Sequence, residues 1–161
     1  MASVTEKARQ AKEASLWLSS ASAQGRNKAL LSIAEALGRD KKKIKEVNTK
    51  DLRLAKKENI SSALMERLLL DEEKIDGLTK GIHDIIALPD PVDRTLKAIE
   101  LDQGLELYQV SCPIGVIGVI FESRPDALVQ ISALCLKSGN AVLLKGGREA
   151  SHTNGFLFSL I

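Results

Sequence analysis

Residues 116–150 read VIGVIFESRPDALVQISALCLKSGNAVLLKGGREA, and the succession of apolar runs and turn residues in this stretch decides the fold class. Val116 to Phe121 is a short run rich in β-branched and aromatic residues, the composition of a parallel strand buried on both faces. Pro125 then opens a helix. Its fixed φ suits the first turn, where its missing N–H would have had no partner, and Asp126 complements the positive end of the helix dipole. Ala127, Leu128, Ile131, Leu134 and Cys135 fall on one stripe of that helix, and Ser138-Gly139 ends it with a residue that tolerates the left-handed conformation. Ala141 to Leu144 supplies a second apolar strand. A crossover of this length between two buried strands is a βαβ unit, right-handed by rule, so the expected class is α/β.

The unit also says where to look for function. In open parallel sheets ligands sit beyond the carboxyl ends of the strands. The residues there are Glu122, Ser123 and Arg124 after the first strand, and Lys145, Gly146, Gly147, Arg148 and Glu149 after the second. Lys145 places a cation at a strand end, and the glycine pair lets a ligand approach the backbone at the start of the next helix, which suits an anionic phosphate. The same residues also make an ordinary tight turn. Neither GxGxxG nor GxxxxGK[ST] occurs, so neither a standard Rossmann turn nor a P-loop is supported.

Composition narrows the classes further. The 161 residues are 44% hydrophobic, enough for one domain with a core, and 27% charged with a net charge of +2, a balance that argues against nucleic acid as the main partner. Aromatic residues make up 3%, which removes base-stacking platforms. Lys41, Lys42, Lys43 and Lys45 form the one basic stretch and read as a solvated helix face. No signal-peptide core or long apolar run suggests secretion or a membrane span. The two cysteines fit a reducing compartment, with the cytoplasm as the default. Cys135 lies among apolar helix positions and reads as a packed hydrophobe, and Cys112 precedes Pro113 with no base or cation nearby. His83 and His152 stand singly, as surface or partly packed residues, and no metal-ligand spacing is present.

Upstream the pattern is helical. Ser3 and Glu6 make a capping box for a first helix with Val4, Ala8, Ala11 and Leu18 on its face. A second helix is expected from Arg26 to Leu37, ended by Gly38. Ile44, Val47, Leu54 and Ala55 mark a third, and Ile75, Leu78, Ile82, Ile85 and Ile86 mark another after Asp71, stopped by Pro89-Asp90-Pro91. Thr95 to Leu101 and Leu105 to Val110 read as two strands around Asp102-Gln103-Gly104. Gly155 to Ile161 is an apolar helical start that leaves a patch uncovered, so the chain reads as an early portion of a longer protein.

The run PIGVIGVIFESRPDALVQISALCLKSGNAVLLKGGREA, with NKALLSIAEAL, NTKDLRLAKKENI, LMERLLL and LPDPVDR upstream, resembles the γ-glutamyl phosphate reductases (glutamate-5-semialdehyde dehydrogenases) of the aldehyde dehydrogenase superfamily, across nearly the whole chain. The resemblance implies N-terminal helices and a β-hairpin followed by an incomplete Rossmann-like parallel sheet of aldehyde dehydrogenase type. The expected division is 1–92 helical, 93–111 hairpin and 112–161 first βαβ unit, all of it an incomplete NADPH-binding domain. It also implies NADPH-dependent reduction of γ-glutamyl phosphate to glutamate 5-semialdehyde in proline synthesis. The nucleophilic cysteine would lie in a missing catalytic domain, and the full-length protein would be a homo-oligomer using the hairpin around Tyr108. By the same resemblance Lys145 sits against the adenosine ribose and its 2′-phosphate, with Gly146, Gly147, Arg148 and Glu149 around it and Glu122 and Ser123 beside them. The turn Glu122-Ser123-Arg124-Pro125 replaces the superfamily's tryptophan-asparagine-phenylalanine-proline turn, whose asparagine helps stabilise the oxyanion. Arg124 then holds the substrate phosphate or the cofactor pyrophosphate, or else bonds local carbonyls as a structural residue. A stand-alone nucleotide-binding or regulatory module and a structural interaction domain remain as alternative functions.

Overall fold

The structure is a computed structural model that describes residues 3–161. Five helices come first: α1 (Val4–Ser20), α2 (Ala23–Arg39), α3 (Lys41–Lys57), α4 (Ser62–Leu68) and α5 (Glu72–Ala87). An antiparallel hairpin follows, β1 (Thr95–Asp102) with β2 (Leu105–Val110), then β3 (Val116–Ile120), α6 (Pro125–Lys137), β4 (Ala141–Lys145), a 3-10 turn (Arg148–Ala150) and α7 (Ser151–Leu160). β3 and β4 pair in parallel with Ile120 opposite Lys145. The βαβ unit is therefore present, with Gly139 at φ +70 ending α6 as its sequence requires.

Local chemistry accounts for the helix starts. Ser3, Ser22 and Asp71 each accept the backbone N–H three residues on, Glu6, Gly25 and Lys74 respectively, and so satisfy one of the unpaired donors of a first helical turn. Apolar stripes of α2, α3, α5, α6 and α7 then meet in one core around Leu30, Leu37, Ile44, Ile75, Val129 and Leu157. Side chains of this kind each contribute about 1.5–3 kcal/mol when fully buried. α1 lies against β4 and β3.

Several expectations are corrected. β3 is not buried on both faces: its residues are half-buried or exposed, and Ile120 is 80% exposed, because the parallel sheet has only two strands among the described residues and its outer face has no cover. Gly38 does not end α2, which runs on to Arg39. Asp40 there closes α2 and opens α3, its N–H bonded to the Ala36 carbonyl and its carbonyl accepting from Ile44. The buried face of α6 is Leu128, Val129, Ser132, Ala133 and Cys135, while Leu134 points outward. In α1, Val4 is exposed and the buried position is Ser15. On the lysine face of α3, Lys42, Lys43 and Lys45 are exposed as expected, and Lys41 alone is half-buried. Lys41 pairs with Asp76, Lys45 with Glu72 at 3.1 Å, and Lys43 lies 5.1 Å over the Phe156 ring. α4 was not anticipated from the spacing of apolar residues, its single turn-pair being too short for a periodic signal.

Candidate functional site

The register that sets Ile120 beside Lys145 brings the two expected turns together. Phe121 N–H continues the ladder to the Lys145 carbonyl at 3.1 Å. Ser123 takes φ +46, an uncommon conformation for a residue with a Cβ, and is buried. Its N–H and its hydroxyl both donate to Glu149 Oε1, at 2.5 and 2.9 Å. Glu149 thus ties the turn after β3 to the turn after β4. Burial pushes the Glu149 carboxyl up, but its own N–H, the Ser123 hydroxyl and N–H and the charge of Lys145 outweigh that and hold it below the ordinary range.

The glycines have an internal explanation. A Cβ on Gly147 would run into the Glu149 carboxylate, and one on Gly146 into the Asn154 amide with the Phe121 ring 3.3 Å away. The close approach at these positions is made by side chains of the same chain. Asn154 was missed by sequence reasoning, yet its Oδ1 is buried without a partner among the described residues, and a buried acceptor left unpaired costs about 1–3 kcal/mol. Lys145, Arg148, Glu122 and Arg124 are all exposed. The strand ends therefore present ammonium and guanidinium groups around a carboxylate that the backbone already holds.

Arg124 departs from this cluster. Its Nη2 donates to Asp126 Oδ2 at 3.0 Å, and that bond, with the carboxylate charge, raises the guanidinium above its usual value. It opens with Asp126 onto a cleft of about 650 Å³ that Ala63, Glu66, Arg67 and Lys74 also line. Arg67 and Lys74 were not singled out in the sequence, and no spacing rule could have found them, since α4 and α5 reach the β3 turn only through the tertiary fold.

Behind α7 lies a second polar group that the sequence did not reveal. Asp51 of α3 is buried and accepts from the N–H of Thr153 at 2.7 Å, the Thr153 hydroxyl at 2.6 Å and the N–H of His152 at 3.2 Å, with His152 Nδ1 at 2.7 Å. This caps the start of α7 from a distant helix and fixes the turn that carries Glu149. Neither cysteine is placed for nucleophilic work here. Cys135 is buried, which pushes its thiol up, and Cys112 is exposed before β3. No helix among the described residues is long and apolar enough to cross a membrane.

No family model matches the chain. Curated relatives do. A protein named gamma-glutamyl phosphate reductase from Pelotomaculum thermopropionicum is 57% identical over 158 residues, 98% of this chain and 36% of its own length. Another of that name from Acetivibrio thermocellus is 54% identical over 99% of this chain and 37% of its own. The crystal structure of gamma-glutamyl phosphate reductase from Saccharomyces cerevisiae superposes with a TM-score of 0.94 at 40% identity, over 99% of this chain and 41% of that one. A probable aldehyde dehydrogenase from Listeria monocytogenes matches at a TM-score of 0.65 and 15% identity, a likeness of fold alone. The resemblance read in the sequence is borne out, and with it the α/β fold of aldehyde dehydrogenase type. The chain spans little more than a third of the length of the curated relatives it matches.

Proposed function

We propose that this chain is the amino-terminal part of an enzyme that reduces L-γ-glutamyl 5-phosphate to L-glutamate 5-semialdehyde, releasing phosphate, with NADPH as reductant and in the service of proline synthesis. The observation that carries this reading is the similarity over the chain's whole length to proteins of that name, at 54–57% identity for two of them. The strand ends are consistent with it. Exposed Lys145 and Arg148 flank the Gly146-Gly147 turn, beside the Glu149 carboxylate that the Ser123 N–H and hydroxyl of the neighbouring turn hold. The two cations suit the phosphate of a phosphorylated ribose. When bound, NADPH supplies the hydride that the acyl carbon accepts. Lys145 then holds the 2′-phosphate, with Arg148 beside it. Glu149 and Ser123 keep the two turns in register, and Glu122 stands at the rim. The nucleophile of the reaction is neither Cys112 nor Cys135. It comes from a catalytic domain beyond the part of the relatives that this chain matches, so the chain alone is inactive.

The whole enzyme is placed in the cytoplasm as a homo-oligomer. Leu96, Leu101, Leu105, Leu107 and Tyr108 of the hairpin are exposed and supply a surface for subunit contact. The test is phosphate-dependent oxidation of glutamate 5-semialdehyde with NADP by the full-length gene product, which should proceed, whereas this polypeptide should show none. Lys145→Ala in the full-length protein should raise the KM for NADP about tenfold, as loss of one phosphate-binding cation does, and a full-length protein without this activity would overturn the proposal.

A further inference from the structure

The cleft beside Arg124 is lined by groups of both charges. It lies between α4, the start of α5 and the first turn of α6. Lys74 Nζ donates to the carbonyls of Glu66 and Leu69, at 2.9 and 2.7 Å, so its ammonium caps the end of α4 and stays fixed. Arg124 spends one bond on Asp126 and keeps its other donors, since a guanidinium has five N–H groups. Arg67 is exposed and makes no ion pair or side-chain hydrogen bond among the described residues. The Glu66 carboxylate lines the same cleft and makes no ion pair among the described residues.

Three cations and two carboxylates on one cleft disfavour a ligand of single sign. A bare phosphate meets the carboxylates, and a simple amine meets the guanidinium groups, so either leaves like charges facing each other. A group bearing a carboxylate and an ammonium on one carbon satisfies both. Arg124 and Asp126 also follow directly on β3, so the cleft borders the turn that carries Ser123.

We propose that the cleft lined by Glu66, Arg67 and Arg124 binds the α-amino-acid end of the substrate, with Arg67 and Arg124 taking the α-carboxylate and Glu66 taking the α-ammonium. This reading rests on the proposed function, and it adds the residues that select a glutamyl substrate over a plain acyl phosphate. Arg67 and Glu66 lie one residue apart near the end of α4, and the Lys74 cap holds that end against α5. The guanidinium fork gives a carboxylate two parallel bonds.

The test is an NMR titration of the isotope-labelled chain with L-glutamate, with glutarate, which lacks the amine, and with 4-aminobutyrate, which lacks the α-carboxylate. L-Glutamate should shift the Glu66, Arg67 and Arg124 resonances saturably, and each truncated compound should bind roughly tenfold or more weakly, as expected when a charged partner is left unpaired. Arg67→Gln should weaken L-glutamate by a similar factor without changing the melting temperature, and Arg67→Lys should recover part of the loss. Equal binding of glutarate and L-glutamate, or shifts that avoid the cleft, would overturn the proposal. A parallel titration with NADP, followed at Lys145 to Glu149, separates the two readings. Shifts at the strand ends with a silent cleft refute this subsite alone, whereas an absence of reductase activity in the full-length protein refutes the function while leaving an amino-acid site in place.

Discussion

The two sides of the segment from Lys145 to Asn154 are built in opposite ways. On the α3 side, Asp51, Asn48 and Thr153 are buried, and each finds partners. Asn48 donates to the Leu68 carbonyl at 2.9 Å and accepts the Leu70 N–H at 2.9 Å, while Asp51 takes the bonds at the head of α7. On the strand side, Lys145 and Arg148 project into solvent, Ser123 is held at positive φ, and Asn154 Oδ1 has no partner among the described residues. The contrast separates anchoring from readiness. A satisfied buried network rigidifies, whereas strain and unpaired groups persist only where the surroundings over-determine them, commonly at sites that meet a ligand.

The contrast is broken most severely from the anchored side. Asp51→Ala strips the acceptor from the Thr153 N–H and hydroxyl and from the His152 N–H, leaving the two buried Thr153 donors without that partner. A destabilisation of about 3 kcal/mol is expected from such losses, measurable as a lower midpoint in urea unfolding with an unchanged slope. A loss under about 1 kcal/mol would mean that water enters the junction and that the two sides are alike. Next in size is Gly146→Ala, whose new Cβ meets the Asn154 amide and the Phe121 ring. Overpacking of this kind costs about 1–3 kcal/mol. A smaller cost would show that Asn154 turns away freely, as an amide with an unpaired oxygen could.

The βαβ unit was legible because its signals are local: β-branched runs, Pro125 at the helix start and Gly139 at its end. The strand-end residues followed from topology, which brings together whatever comes after two adjacent parallel strands. The Ser123 to Glu149 tie was not legible. It spans 26 residues and depends on a backbone angle that serine rarely adopts. Asp51 was hidden for a related reason, since in sequence it is one more charge on a charged helix, and only the approach of α7 buries it. The degree of strand burial differs from the expectation because apolar composition reports what a strand is suited to meet, and among the described residues β3 and β4 pair only with each other. Arg67 and Lys74 escaped notice because a cleft between three helices has no sequence period.

The strand side can be loosened by acid without mutation. Glu149 has its carboxyl held below its ordinary value of 4.5. A carboxylate depressed in the folded state stabilises fully above its unfolded value, and that contribution is lost as pH falls through the folded one. The tie between the turns should therefore be intact at neutral pH and weaken only below 4.5. Glu149→Gln should remove this part of the acid dependence and lower stability at pH 7 by about 1 kcal/mol, because the amide accepts the Ser123 bonds without the charge. Identical acid unfolding of the variant and the parent would assign the tie no electrostatic weight.

The smallest effect discriminates best between the two sides. Lys145 is exposed, and its ammonium lends charge to the Glu149 carboxylate. Truncation to alanine should change stability by no more than about 0.5 kcal/mol, and high salt should shrink even that through screening. The same substitution is expected to weaken a phosphate-bearing nucleotide well beyond its effect on folding. If Lys145→Ala instead destabilised the fold as Asp51→Ala does, its ammonium would be a structural partner of Glu149. The strand ends would then be a second anchor, and the proposed nucleotide site would lose the cation that stands at the end of β4.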